Sequence, residues 1–412
     1  MRFMDDSIVK GTVVNDRLVK EGEEVLYKTY NRFPVVFDHA DGVYLFDEGD
    51  NRYLDFGAGI AVCGLGYKNL LIQDAMVSQI EKGLLHTSNL FYNEPAIEAG
   101  EKLLKASEMD KVFFTNSGTE AIEGALKIAR RYQFNKGKPG CEIIAMKDSF
   151  HGRSVGALSV TGNQHYQEPF APLMPGIKFA TFNDLDSVKA LVNANTGAII
   201  METIQGEGGI YPATEEFIKG VRALCDEHDI LLILDEIQCG MGRSGRMFAW
   251  QRYGVKPDVM TVAKALGNGV PIGAFLACGE AASAMKPGDH GSTYGGNPFV
   301  CSVASAVLDV FKEAEIPQHA ELMGGYLDEK LEDLKEKYPS LIADHRGVGL
   351  IQGLEFKEGV DVGKIVSDCL TKEHLILISA LHNTIRFVPP LVIEKTHIDE
   401  MTARLDRVLG SL

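Results

Sequence analysis

The stretch LLILDEIQCGMGRSGRMFAWQRYGVKPDVMTVAK (residues 231–264) sets two short aliphatic runs in sequence and ends each on a charged group. LLILDE carries Asp235 at its polar end, and PDVMTVAK carries Lys264 at the same end of its own run, 29 positions on (264 − 235). Runs this short and this apolar read as strands buried on both faces, the pattern of a parallel sheet with ligands gathered outside the carboxyl ends. A carboxylate there is costly unless something cationic meets it. For Asp235 alone, a helix cap or a structural ion pair is the better explanation. For Lys264, desolvation lowers the amine's pKa and makes it a nucleophile.

The same pattern recurs outward from this stretch. KVFFTNSGTEAIEGALKIARRY (111–132) reads as strand, tight polar turn and helix, with apolar residues at helical spacing. EIIAMKDSFHGR (142–153) and GAIIMETIQGEGG (197–209) each open on an aliphatic run and then meet polar groups. GVYLFDEGDNRYLDF (42–56) reads as a hairpin turning at Glu48 to Asn51. After GGNP (295–298) the character changes to two helices, FVCSVASAVLDVFKEAE and GGYLDEKLEDLKEKY, and then to the strands RGVGLIQGLEF, LILISA and TIRFVPPLVI. The expectation is an α/β fold: residues 1–45 as a segment packing with a small unit, 46–298 as a large domain on a mostly parallel sheet, and 299–412 as a smaller α+β domain.

The bulk numbers narrow the function. The 412 residues exceed one small core, and 45% hydrophobic with 24% charged residues is ordinary for a soluble protein. A net charge of −16 speaks against general nucleic-acid binding, which rests on Lys and Arg neutralising phosphates. Seven scattered cysteines without a Cys-x-x-Cys pair suggest reduced thiols and a cytoplasmic protein. The opening MRFMDDSIVKG has acids where a secretion signal needs an apolar core, and no run nears the roughly 18 apolar residues of a membrane helix. The histidines show no His-Glu-x-x-His spacing, so no catalytic metal is expected. GMGRSG (240–245) fits the dinucleotide spacing G-x-G-x-x-G. Asp235 and Glu236 intervene before its glycines, however, and RMFAWQRYGVKP after it is a poor helix, so a nicotinamide or flavin site is set aside.

An acid and a lysine at neighbouring strand ends suit an aldehyde cofactor with a basic ring nitrogen: the lysine bonds the aldehyde, and the acid keeps the ring nitrogen protonated. Its phosphate needs a cradle. Ser117, Gly118 and Thr119 stand between a strand and a helix, where backbone N–H groups face an anion, although the same residues would serve as an ordinary cap. Gly295 and Gly296 after Ser292 and Thr293 form a second candidate loop. Phe150 could stack on a flat ring, and Arg153 could fork onto a substrate carboxylate. Arg386 in TIRFVPP is a second such arginine, and Glu207 lies in a glycine-rich turn. Each has a bland reading as well: a core Phe, exposed strand or surface charges, a solvated loop acid.

Together these motifs point to a family. LDEIQCGMGRSGRMFAWQRYGVKPDVMTVAKALGNGVPIGAF (234–275) resembles the signature of the class III (subgroup II, ω-type) aminotransferases. SGTEA, FHGR, QGEGG, HGSTYGGNP and IRFVPPLVI occur in the order that family shows, so the resemblance spans roughly residues 28 to 395. It implies fold type I, pyridoxal 5'-phosphate as cofactor, and a homodimer with each active site at the subunit interface. By the same resemblance Lys264 is the Schiff-base lysine, Asp235 pairs with the ring nitrogen, Gln238 bonds the ring's phenolic oxygen and Phe150 stacks on its face. Ser117, Gly118 and Thr119 hold the phosphate with Thr293 of the other subunit. Arg153 takes the distal carboxylate, Arg386 takes the α-carboxylate of glutamate or 2-oxoglutarate, and Glu207 covers Arg386 when the other substrate is present.

Within the family the motifs are most similar to the branch whose amino donor is N2-acetyl-L-ornithine, which implies transfer of the δ-amine to 2-oxoglutarate in arginine biosynthesis. Ornithine, succinylornithine, 4-aminobutyrate or a diamine are alternative donors, and an aminomutase shares the fold. A non-catalytic sensor is a different class of reading; the acidic charge and the Lys264–Asp235 combination argue against it. Three departures stand out: Thr203 where the family usually has proline, and Cys63 and Tyr67 in AVCGLGY where Asn and His are usual. Arg32 in YNRFP resembles a position that helps to sort substrates among relatives.

Overall fold

The computed structural model describes residues 16–412, so the first fifteen residues of the expected N-terminal segment lie outside the described part. The central sheet has seven strands: β1 (Lys111–Thr115), β2 (Glu142–Met146), β3 (Ile177–Ala180), β4 (Thr196–Glu202), β5 (Leu231–Asp235), β6 (Val259–Val262) and β7 (Gly273–Ala277). Their spatial order is β1-β7-β6-β5-β4-β2-β3. The pairs β6–β5, β5–β4, β4–β2 and β2–β3 are parallel. Strand β7 runs antiparallel to both β6 and β1. Strand β7 is not among the strands expected from the sequence. Only residues 263–272 separate it from β6, too few for the crossover that a parallel return needs.

Helix α1 (Gly118–Asn135) follows β1 and lies on β7 and β6. Its apolar stripe, including Ile122, Leu126 and Ile128, is buried, and each such side chain contributes about 1.5–3 kcal/mol when removed from water. Close approach needs Gly124, since a Cβ there would stand 2.1 Å from Cε1 of Phe275 on β7. Helix α1 thus starts hard against the carboxyl end of β1, and its first turn opens at the rim of the sheet.

The second unit has a four-stranded antiparallel sheet: β8 (Ile342–Val348), β9 (Ile351–Phe356), β10 (Ile378–Ala380) and β11 (Thr384–Phe387), in the order β8-β9-β11-β10. Strand β11 stops at Phe387 rather than running through PPLVI, because Pro389 and Pro390 have no N–H to pair. The predicted hairpin forms from Tyr44–Asp47 and Arg52–Asp55, and the latter strand pairs in parallel with Leu375–Ile376. The chain before residue 56 therefore joins the C-terminal part through a sheet of its own. After GMGRSG there is only a short 3-10 turn, Ala249–Arg252, and no dinucleotide helix. Arg243 from that stretch is buried and donates from one Nη to the carbonyls of Leu350 (3.0 Å) and Pro389, tying the loop after β5 to the second unit. No helix among the described residues is long and apolar enough to cross a membrane.

Candidate active site

Parallel register levels three polar residues at the carboxyl end of the sheet: Glu202 pairs with Asp235, and Asp235 with Thr261. Asp235 is buried, yet fully engaged. One carboxylate oxygen accepts from the Ile237 N–H (3.0 Å) and the Thr261 hydroxyl (3.2 Å), and the other meets Nδ1 of His151 at 2.7 Å. Burial pulls the His151 imidazole toward neutrality, but the bond to Asp235 and the negative charges of Asp235 and Glu202 outweigh it and hold its pKa above the usual value. Glu202 receives the N–H groups of Phe150 and Gly206, both at 3.1 Å, and burial pushes its carboxyl up to about 7.

Just beyond β6 the backbone turns sharply, with Lys264 at φ 48° in the left-handed region. Non-glycine residues sit there at a cost, and such strain gathers at functional sites. The turn points Lys264 into a cavity of about 500 Å³. Burial, and then the guanidinium of Arg386, lower its amine to about 8, against 10.5 for an ordinary lysine. The cavity is also lined by Asp235, Gln238, Phe150, Arg153 and the turn from Asn116 to Thr119.

That turn is the mouth of α1. Ser117 is its N-cap, with Oγ accepting from the Glu120 N–H, so the free N–H groups of the first turn point outward at the cavity. Gly118 leaves the space open, because a Cβ there would lie 2.9 Å from Cδ1 of Ile237. Thr119 Oγ1 is 2.8 Å from Ser154 Oγ, and Gly152 at φ 135° lets the FHGR turn pass within reach of it.

Arg386 on β11 is 2% exposed and donates from Nη1 to Glu207 (2.8 Å) and to Oε1 of Gln238 (2.9 Å). The expected Glu207–Arg386 pair is thus formed, and Gln238 is shared between that pair and the cavity wall. The loop carrying Glu207 can come this close because Gly206 has no Cβ, which would lie 2.3 Å from Gln238 Oε1. Arg153 stands exposed at the rim, its guanidinium 3.7 Å from the centroid of the Tyr166 ring. Thr293 is not in this cavity. It is exposed in a separate cleft with Ser292 and Glu120.

A profile of the family Aminotransferase class-III matches residues 26–409. The chain belongs to the class-III aminotransferases. It is 50% identical to the acetylornithine aminotransferase of Clostridium acetobutylicum, over 91% of this chain and 96% of that protein. It is 46% identical to the acetylornithine aminotransferase of Methanocaldococcus jannaschii, over 93% and 95%. Among solved structures, an ornithine aminotransferase of Toxoplasma gondii with pyridoxal phosphate at partial occupancy in its active site aligns with a TM-score of 0.92 at 30% identity, covering 98% of this chain and 96% of that one. The N-acetylornithine aminotransferase of Stenotrophomonas maltophilia aligns at 0.82 with 34% identity, covering 95% and 98%.

The residues of this class-III aminotransferase fit a flat, phosphorylated aldehyde. The donor set is complete: an amine, a buried carboxylate with a fixed orientation, an aromatic wall and a helix mouth. His151 Nε2 is in addition buried and unpartnered at the cavity edge, leaving a donor or acceptor for a guest. His151 and Glu202 join the site beyond the residues expected from the sequence. The signal for both was present, as polar residues at strand ends beside Asp235.

Two of the three departures, Thr203 and Tyr67, have local reasons. Thr203 donates its hydroxyl to the buried Glu236 (3.2 Å), a bond that proline could not make. Tyr67 donates to Asp55 (2.6 Å), whose other oxygen accepts from the N–H groups of Gly57 and Ala58 and so braces the left-handed turn from Ala58 to Ala61. Arg32 is exposed and donates to the Tyr27 carbonyl at 3.3 Å.

Proposed function

We propose that this aminotransferase moves the δ-amino group of N2-acetyl-L-ornithine to 2-oxoglutarate, giving N-acetylglutamate semialdehyde and L-glutamate, with pyridoxal 5'-phosphate as cofactor. The observation that carries the reading is the placing of two arginines: Arg153 lines the cavity, and Arg386 lies behind its wall, bonded to the lining residue Gln238. Arg386 is neutralised by Glu207, while Arg153 at the rim pairs with no carboxylate among the described residues. A donor reacting through a terminal amine presents its carboxylate far from the reacting carbon, where Arg153 can take it. Glutamate and 2-oxoglutarate carry a second carboxylate next to that carbon, and must displace Glu207 from Arg386. The relatives at 46–50% identity are named for the same donor.

When bound, the cofactor supplies an electrophilic carbon for the amine and a ring that accepts electrons from the neighbouring C–H bond. Ser117, Gly118 and Thr119 would receive its phosphate at the helix mouth, with Thr293 of a second subunit. Phe150 would lie against the ring face and Gln238 against its phenolic oxygen. Asp235 would hold a proton at the ring nitrogen, its second oxygen fixed by Ile237 and Thr261. Lys264 takes the proton from the amine-bearing carbon and returns it, a role its lowered pKa suits near neutral pH.

A second subunit is supported by Thr293 lying outside its own chain's cavity, and by the surface beside it. Leu85, Leu90, Phe91, Tyr92 and Tyr294 are all exposed on one chain. A homodimer in the cytoplasm, as part of arginine biosynthesis, is the setting this reading implies.

The test is one cuvette. N2-acetyl-L-ornithine added without keto acid should bleach the yellow protein, and 2-oxoglutarate should restore the colour. A protein that bleaches with glutamate but ignores acetylornithine would move the donor to ornithine, succinylornithine, 4-aminobutyrate or a diamine. One that stays colourless with added pyridoxal phosphate would refute the cofactor.

A further inference from the structure

Arg346 has no part in the cavity, yet it touches both carriers of the Glu207–Arg386 pair. It lies on β8, in register with Gly353 on β9 and, through it, with Arg386 on β11. Its Nε donates to the carbonyl of Gly209 (2.8 Å), two residues after Glu207. Its Nη2 reaches Oγ1 of Thr384 (3.3 Å), two residues before Arg386 on the same strand face. The guanidinium is held in place by Glu355 (2.7 Å), Asp344 (3.1 Å) and the Tyr211 ring, whose centroid is 3.9 Å away. The Leu381 N–H on the Glu207 carbonyl (2.9 Å) and the Tyr211 hydroxyl on Glu355 (3.2 Å) also tie this loop to the second unit. Gly353 makes the row possible: a Cβ there would press to 2.9 Å from Thr384 and 3.1 Å from Ile210.

We infer that Arg346 is a positioning residue that holds the Glu207 loop against β11, so that Arg386 stays covered and substrates bearing an α-carboxylate bind less readily than ω-amines. The inference rests on the proposed role of Glu207 and Arg386. Its physical basis is competition. An α-carboxylate reaches Arg386 only in the uncovered state, and whatever stabilises the covered state weakens apparent binding by the fraction still covered. A guanidinium fork onto Gly209 and Thr384 stabilises only the covered arrangement. An ω-amine donor leaves the pair in place and is not affected.

The experiment compares bleaching of the holoenzyme by L-glutamate and by N2-acetyl-L-ornithine, each without keto acid, in wild type, Arg346→Lys, Glu207→Gln and the double variant. Lysine keeps the charge between Glu355 and Asp344 and loses the fork. Loss of one charge-assisted bond should lower the half-saturating glutamate concentration about tenfold in Arg346→Lys, with acetylornithine shifted less than about twofold. Glu207→Gln should move glutamate in the same direction, and the double variant should go little further, because both act on one cover. Equal shifts for both donors, a rise in the glutamate requirement, or full additivity in the double variant would overturn the inference. If wild type ignores acetylornithine, the donor assignment fails. The cycle on glutamate alone still decides the role of Arg346, by the sign and non-additivity of its shift. Arg346→Met, with a thermal melt beside it, separates the effect from loss of folded protein.

Discussion

Loading of the cofactor-free protein should follow the titration of Lys264. The amine can attack an aldehyde only when neutral, and burial with the nearby Arg386 charge brings its pKa to about 8. At pH 8 about half of such amines are neutral, against about 0.3% for a lysine at 10.5. The sign is that of a cationic group disfavoured by its site: the reactive form gains with rising pH and saturates above the lowered pKa. Between pH 7 and 9 the neutral fraction climbs about tenfold, from about 9% to about 91%, and then flattens, whereas an unshifted lysine would climb about a hundredfold and keep rising. The assay mixes apoprotein with pyridoxal phosphate across this range and follows the growth of visible absorbance in a stopped-flow cell. Arg386→Gln removes the second cause of the lowering and should move the plateau to higher pH. A loading rate that still rises steeply from pH 9 to 10 in wild type would refute the reasoning, as would a plateau that ignores Arg386→Gln.

Lys264→Ala should abolish turnover while its thermal melt stays close to that of wild type, and multiple turnover in this variant would remove Lys264 from the chemistry. Arg386→Gln should cut kcat/KM for 2-oxoglutarate about 10- to 100-fold, the loss of a charge-assisted bond, and damage the acetylornithine half-reaction less; equal losses in both would count against the Glu207–Arg386 exchange. Arg243→Met should cost about 2–4 kcal/mol in urea unfolding, since the Leu350 and Pro389 carbonyls lose a buried donor, and an unchanged midpoint would show that water replaces it.

The sequence spoke most clearly where one residue's neighbours along the chain determine its surroundings. Asp235 and Lys264 end buried strands, and strand burial is written in an aliphatic run, so both could be placed at one edge before any coordinate. The turn from Asn116 to Thr119 was legible for the same reason, as a strand and a helical stripe flank it. What stayed hidden depends on contacts between distant segments. His151 matters because the FHGR turn folds back onto β5, 84 positions away, and no local pattern states that distance. Strand β7 was missed because its direction is set by a short connection and by Gly273, which packs on the backbone of Ser117, rather than by its own apolar run. Arg346 looks like any strand charge until β8, β9 and β11 are aligned.

The charge arrangement around Lys264 links the two halves of the proposed reaction. Arg386 lowers the lysine's pKa, and Glu207 beside it raises that pKa, so the pair acts on Lys264 nearly as a neutral unit. Lone Arg386 would push the amine further toward neutrality, and an uncovered site would therefore hold a different base from a covered one. A substrate α-carboxylate that displaces Glu207 restores one negative charge at Arg386 as it removes another. Lys264 then meets almost the same field whether the donor is an ω-amine with Glu207 in place or glutamate with Glu207 swung away. A carboxylate is thus the suitable cover for Arg386 for a reason beyond blocking it. A neutral cover of the same size, such as glutamine, would leave the field changing between the two half-reactions, and the pH optimum of each would separate from the other.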